Sequence, residues 1–324
     1  MASLKTIKAK IRGVEKTGKV TKAMEAVSAA KMRKAQTTAI AGRAYAKAAA
    51  AILARVSGSQ ALKNHPLVGS LEKFSASASG HNGNASGENF SSPKKALYIV
   101  ITSDKGLAGA LNSSVLRGTL ADIMKQNLKP TDVSVVAIGR KAQDFFAARG
   151  FRIGTFHPNT DQISSAMIDE VLKNAAQRFT AGEVGVVKVA YQNFVSTFEQ
   201  RPTVRTIFPL SLEELQKVVA DILPARGAFA EAPPEKSPSV YTVEPSEEDV
   251  LNAILPRLAS IFLYHALLES QASEHSARMV AMKSASDKAE ELSDSLTLKF
   301  NKARQAAITR EVSEITGGME ALSA

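Results

Sequence analysis

Apolar residues recur at intervals of three and four towards both ends of the chain, and gather into short unbroken runs in its middle. Near the start, Leu4, Ile7, Ile11 and Val14 follow this spacing behind Ser3 as a capping residue. The first 56 residues are rich in Ala, Lys and Arg and contain no proline. They predict one helix over 1–56, about 80 Å long at the α-helical rise, despite Gly13, Gly18 and Gly42.

The carboxyl-terminal pattern is longer. Steps of three and four run through Leu251, Ile254, Leu258, Ile261, His265, Leu268, Ala272, His275, Met279, Met282, Ser286, Ala289, Ser293, Leu296, Phe300, Ala303 and Ala307. A seam of this length predicts a coiled coil over 246–324, with Pro256 kinking its first turns without ending the helix. From Ser246 to Thr316 the helix would run about 105 Å, so most of it is expected to project. Many seam residues are small, which favours close approach of a partner helix and weak cohesion per heptad. The basic amino-terminal helix is the natural antiparallel partner.

Between these ends the period changes. Ala96–Thr102 reads as a strand buried on both faces, and further strand candidates lie at Val133–Gly139, Val186–Tyr191 and Thr203–Pro209, alternating with helical signals. This predicts a central open α/β domain over 94–222 with a mostly parallel sheet, the last strand an antiparallel edge. Two segments interrupt the pattern. Residues 57–93 are rich in Ser, Gly, Asn and Ala and too polar to offset their ordering entropy, so a mobile surface insertion is expected there. Residues 223–245 carry five prolines and read as irregular.

Charge divides the ends. Residues 1–56 hold thirteen Lys/Arg against Glu15 and Glu25, whereas residues 246–324 hold eight against twelve Asp/Glu. Either both are solvated helix faces, or the ends pair with each other and surplus positive charge meets acidic partners. No apolar stretch approaches the roughly 20 residues of a membrane span, and no signal-peptide pattern is visible, so a cytoplasmic location is expected. The chain has no cysteine, and His65, His81, His157, His265 and His275 lack ligand-like spacing, so neither a metal nor a cofactor is expected.

Two glycine motifs invite a nucleotide reading. Gly13-Val-Glu-Lys-Thr-Gly18-Lys19-Val20 nearly matches a P-loop, but Val20 replaces the hydroxyl that would ligate magnesium, and the motif lies in a helical run. Ser103-Asp-Lys-Gly-Leu-Ala-Gly-Ala-Leu-Asn112 follows the first strand, yet lacks the full dinucleotide fingerprint; Gly106 and Gly109 then serve a tight turn. His265 and His275 are expected to be packed polar seam residues, and Met279 and Met282 core filler.

Longer motifs point elsewhere. Val20-Thr-Lys-Ala-Met-Glu-Ala-Val-Ser-Ala-Ala-Lys-Met-Arg-Lys-Ala35 resembles the first helix of the F-type ATP synthase gamma-subunit family, and Ser103–Asn112 is similar to that family's loop after its first strand. Ser273–Lys283 and Asn301–Ile315 resemble its last helix. The resemblance implies a Rossmann-like α/β domain with a coiled coil of the two terminal helices. It implies a rotor at the cytoplasmic face of a bacterial cell membrane. The coil would stand within a hexamer of alpha and beta subunits, and the foot would bind the epsilon subunit and the c-subunit ring. Such a rotor couples proton flow to ATP synthesis or hydrolysis at sites on the hexamer, and is not itself an enzyme. By resemblance, Met24, Lys31, Arg33, Arg278, Gln305 and Thr309 face the hexamer, while Asp104, Lys105, Gly106 and Ala108 form a loop exposed on the flank of the stalk. Lys105 stands where arginine is usual, Ala108 where many relatives carry cysteine, Ala110 where glycine is common and Met319 where alanine is usual. A basic coiled-coil protein binding nucleic acid through its first helix is the alternative, opposed by the absence of tryptophan and of a reading motif. A nucleotide-using enzyme would need an acid, base or phosphate cradle that no motif supplies.

Overall fold

The computed structural model describes residues 4–56, 62, 65–68, 95–210 and 246–323, with side chains as far as 38 in the first helix and 319 in the last. Both segments set apart by composition, 57–93 and 223–245, fall largely or wholly outside the described residues. The elements are α1 (Leu4–Val56), β1 (Ala96–Ile101), α2 (Leu111–Lys125), β2 (Val133–Ile138), α3 (Arg140–Ala147), β3 (Arg152–His157), α4 (Ser165–Thr180), β4 (Val186–Phe194), β5 (Gln200–Phe208) and α5 (Glu247–Ser323). The chain divides into two compact units, residues 31–277 and residues 1–30 with 278–324, so the division falls inside both long helices and not at their ends.

The larger unit is built on a five-stranded sheet in the order β3-β2-β1-β4-β5. β1, β2, β3 and β4 run parallel and β5 returns antiparallel on the edge, as the alternating pattern predicts. Side chains of β1 alternate between two cores. Leu97, Ile99 and Ile101 join Ile168, Val171 and Leu172 of α4 on one face, and Ala96, Tyr98 and Val100 join Val115 and Ile123 of α2 and Phe146 of α3 on the other. All six β1 residues are fully buried. Each large aliphatic so buried contributes about 1.5–3 kcal/mol.

β3 is absent from the sequence expectation. Its stretch Arg-Ile-Gly-Thr-Phe-His lies on the sheet edge, three residues exposed and three half-buried, so it carries neither an apolar run nor clean alternation. A shift in its pairing with β2 between Val135 and Val136 blurs the pattern further.

The first half of α5 also departs from expectation. Leu251, Leu255, Leu258, Ala259, Phe262, Leu263, Ala266 and Leu267 enter the core beside α4, and several of these lie off the predicted seam. A helix packed on a sheet and a second helix buries a broad face, whereas a two-helix seam buries a narrow stripe. This also explains why an 18-residue window of α5 has a spanning helix's mean hydropathy of 1.4: 44% of the window is buried inside the protein. Pro256 sits within the continuous helix, as expected.

In the smaller unit the seam follows the predicted spacing. On α5, Met282 is buried and Ser286, Ala289, Ser293, Leu296, Phe300, Ala303 and Ala307 are half-buried, while their neighbours are mostly exposed. On α1 the spacing of Leu4, Ile7, Ile11 and Val14 continues through Gly18, Thr21 and Ser28, residues too small or polar to announce it in the sequence. Thr21 Oγ1 lies 2.6 Å from Ser286 Oγ. A Cβ built on Gly18 would stand 3.3 Å from Ala289 Cβ. As one number rises the other falls, so the helices are antiparallel. Charge does not join them: Lys5, Lys8, Lys10, Arg12, Lys16, Lys19 and Lys22 are all exposed, and none forms an ion pair among the described residues. The seam is packing and hydroxyl contact, with the basic residues turned outward.

Candidate interaction surfaces

An open parallel sheet binds ligands at the carboxyl ends of its strands, where the strand order reverses. Here that point lies between β1 and β4, and the chain's own side chains bond to the backbone around the carboxyl ends of β1, β2 and β4. The Thr102 hydroxyl accepts from Ala142 N–H at 2.9 Å, and Asp104 Oδ1 accepts from Arg140 N–H at 2.8 Å. A carboxylate of the chain therefore meets the first turn of α3, the position an external anion would take. Asn112 accepts from Ser103 N–H at 3.0 Å and donates to Ser103 Oγ at 2.7 Å, closing the glycine loop on itself. Ser273 of α5 donates to Gln192 O at 3.2 Å, covering the end of β4. The other near-motif, Gly13–Val20, lies wholly within α1, away from any strand-to-helix turn. Among the described residues no group of His, Asp or Glu could hold a metal ion.

The glycine loop presents Lys105, Gly106 and Leu107 outward, with Asp104 half-buried. Ala108, expected on the exposed flank, is 3% exposed. The reason is local: Leu107 at φ 65 and Gly109 at φ 57 are both left-handed, and this pair of turns swings Ala108 inward and Leu107 out to 62% exposure. A left-handed leucine with an exposed side chain is unusual, and residue type alone does not announce it.

Of the other residues singled out in the sequence, Met24 and Arg278 are half-buried in the coiled unit, while Gln305 and Thr309 are exposed one turn apart on α5 and linked by a 3.0 Å bond from Thr309 Oγ1 to Gln305 O. Arg33 is exposed. Lys31 is already engaged: its Nζ donates to Asp161 Oδ2 at 2.6 Å. His265 and His275 are packed, as expected, each within reach of a carboxylate, Glu269 at 3.5 Å and Asp161 at 3.6 Å respectively.

Two apolar stripes went unnoticed in the sequence. Ile308, Val312, Ile315 and Met319 repeat with 4–3–4 spacing on α5 and are 53–65% exposed. Val20 and Val27 flank Met24 on α1 and are 52% and 57% exposed. The α5 stripe starts where the seam ends, one residue out of phase with Ala307, so a reading that follows the seam passes it by.

The buried polar cluster at the opposite end of the sheet is structural. Tyr98, Lys188 and Gln126 all donate to Asp122 Oδ2, at 2.7, 2.8 and 2.7 Å. Burial pushes the Tyr98 phenol well above its usual range, and the hydrogen bond and charge of Asp122 push it further.

The profile of the family described as ATP synthase matches residues 3–322. The ATP synthase gamma chain of Pelotomaculum thermopropionicum is 37% identical over 327 residues, covering 99% of this chain and 100% of the relative. That of Heliobacterium modesticaldum is 36% identical over 324 residues, with the same coverage. A chain in the cryo-EM structure of the Euglena gracilis mitochondrial ATP synthase, OSCP/F1/c-ring in rotational state 3, superposes with a TM-score of 0.63 at 17% identity, covering 98% of this chain and 94% of that one. A chain of the Tetrahymena thermophila mitochondrial ATP synthase central stalk and c-ring gives 0.52 at 22% identity, covering 82% and 99%. The structural likenesses speak for the fold, and the sequence matches go further. Matched by the profile over residues 3–322 and by full-length bacterial relatives at 36–37% identity, the chain belongs to the ATP synthase gamma-chain family.

Proposed function

We propose that this chain is the rotor of an F-type ATP synthase, coupling proton flow through the membrane sector to ATP synthesis or hydrolysis on an alpha/beta hexamer. It works at the cytoplasmic face of a bacterial membrane as a peripheral subunit, and the chemistry belongs to the hexamer. The observation that carries this reading is the uncovered end of α5. Beyond Ala307 every described residue is exposed, and Ile308, Val312, Ile315 and Met319 form an apolar stripe with no partner among the described residues of their own unit other than a contact at Met319. Such a stripe on a helix end calls for a surrounding sleeve. Gln305 and Thr309 lie beside it, in keeping with a hexamer-facing role, and Val20 and Val27 give Met24 a similar setting on α1.

The exposed basic residues from Lys5 to Lys22 on α1, which form no ion pair among the described residues, suit acidic surfaces on the surrounding subunits. Lys105 and Gly106 are outward on their loop, as a flank that passes stationary subunits requires. The epsilon subunit and the c-subunit ring are the partners at the foot. That the chain is not itself catalytic is supported by the bonding of the glycine loop to itself and to the first turn of α3, and by the helical setting of the P-loop lookalike. Nucleic-acid binding through α1 finds no support in the family match.

Co-purification tests the reading. A tagged chain expressed in a bacterium with its own synthase subunits should bring down a hexameric ATPase, and a Val312→Asp/Ile315→Asp variant should reduce that recovery several-fold. Recovery of nucleic acid, or of the chain alone, would contradict it.

A further inference from the structure

We propose that Asp161 is a positioning residue that clasps α1 and α5 to the sheet, and that Lys31 acts inside this chain and not on a partner subunit. The consequence for coupling rests on the rotor reading above; the clasp itself does not. Asn159, Thr160 and Asp161 leave the carboxyl end of β3 without regular structure, so side-chain bonds set their position. Together they reach β1, α1 and α5. Asn159 Nδ2 donates to Thr102 O, at the exit of β1, at 2.8 Å. Gln271 Nε2 of α5 donates to Thr160 O at 2.7 Å and to Asn159 Oδ1 at 3.4 Å. Asp161 closes the set: one carboxylate oxygen takes Lys31 Nζ of α1 at 2.6 Å, and the other lies 3.6 Å from His275 Nε2 of α5.

Gln271 and His275 are one helical turn apart on the same face of α5 and both are buried, so the loop is gripped twice by one helix. Lys31 is the grip of the other helix. The bridge stands at a cavity of about 450 Å³ lined by Lys34, Thr38, Tyr264 and Leu268, where apolar filling is incomplete and a polar tie bears more of the contact. The Lys31 hydrogen bond holds the Asp161 carboxyl below the usual range, burial opposes that, and the charges of Lys31, His275 and Lys34 add to it; the carboxyl is ionised at neutral pH. In a rotor, torque taken up by the sheet domain must pass to both helices together, and Asp161 places a carboxylate oxygen against each.

The test uses the assembled synthase in vesicles with Lys31→Met, Asp161→Asn, the double variant and Lys31→Arg as the conservative control. Amide exchange in residues 28–38 should rise about two- to fivefold in either single variant, the size expected of a part-exposed pair. It should rise no further in the double, and Lys31→Arg should restore protection. ATP-driven proton pumping per ATP hydrolysed should fall in the same pattern. If Lys31→Met lowers pumping while Asp161→Asn leaves exchange and pumping as in the parent, the partner of Lys31 lies on another subunit and the clasp is overturned. Additive effects in the double variant would equally refute a shared bond. Exchange that follows the pattern while pumping stays at the parent level would overturn the torque role. A parent complex that does not pump would count against the rotor reading, with the exchange arm still deciding the clasp.

Discussion

Gly139 shows how one residue fixes a site. It precedes α3 at φ +99, and a Cβ there would stand 2.1 Å from Thr102 O, a backbone atom that cannot step aside cheaply. Gly139→Ala should therefore destabilise the larger unit by about 3 kcal/mol or more. Chemical denaturation measures this, and a loss below about 0.5 kcal/mol would contradict the close approach. Asp161 makes a pH prediction of definite sign. Its folded pKa is depressed, so its contribution is present above the ordinary Asp value of about 3.9 and is lost as pH falls through the lower folded value. Carboxyl NMR titration should place Asp161 below the ordinary value in the parent and move it upward in Lys31→Met. At this scale the sequence was legible where chemistry is local: the missing hydroxyl at Val20, in a motif that lies within a helix, can be read directly. The inward turn of Ala108 was not legible, because a left-handed leucine is set by the surrounding loop and no residue type signals it.

At the scale of elements, periodicity carried most of the information. The seam from Met282 to Ala307 and the buried strand Ala96–Ile101 match their patterns, because in each a single face or both faces meet a uniform partner. Leu251–Leu267 matched poorly because that part of α5 faces a sheet and another helix, and a heptad reading picks only one stripe of a broad face. β3 was illegible because an exposed edge strand buries too little to impose alternation. The small seam residues give a sharp prediction. Gly18→Ala gains about 1 kcal/mol of helix propensity. It must also press a methyl to 3.3 Å from Ala289 Cβ, so its net effect should be within about 1 kcal/mol of zero. Gly18→Leu has no such room and should destabilise the coil by about 1–3 kcal/mol. Thermal melting followed by helical circular dichroism separates the two, and equal behaviour of both variants would show that the helices do not approach this closely.

For the molecule as a whole, the sheet domain and the two long helices were foreseeable because both rest on patterns many residues long, whereas the residues that meet other subunits depend on chains outside this one. The α5 stripe from Ile308 to Met319 could have been found from its 4–3–4 spacing alone, but only the structure shows that it is exposed and not part of the seam. The purified chain should neither hydrolyse ATP nor bind it at micromolar concentration, since Asp104 and Asn112 already take the backbone N–H groups of Arg140 and Ser103 that a phosphate would need; saturable micromolar binding in calorimetry would contradict this. Rotation is the central claim, and the absence of cysteine makes it open to one clean measurement. Lys105 is exposed on the glycine loop where Ala108 is not, so Lys105→Cys supplies a single accessible thiol to pair with a cysteine placed on the lower edge of the beta subunit. Oxidation should cross-link the chain to the hexamer and abolish ATP turnover, and a reductant should restore it; full turnover in a preparation shown to be completely cross-linked would mean that this chain need not rotate.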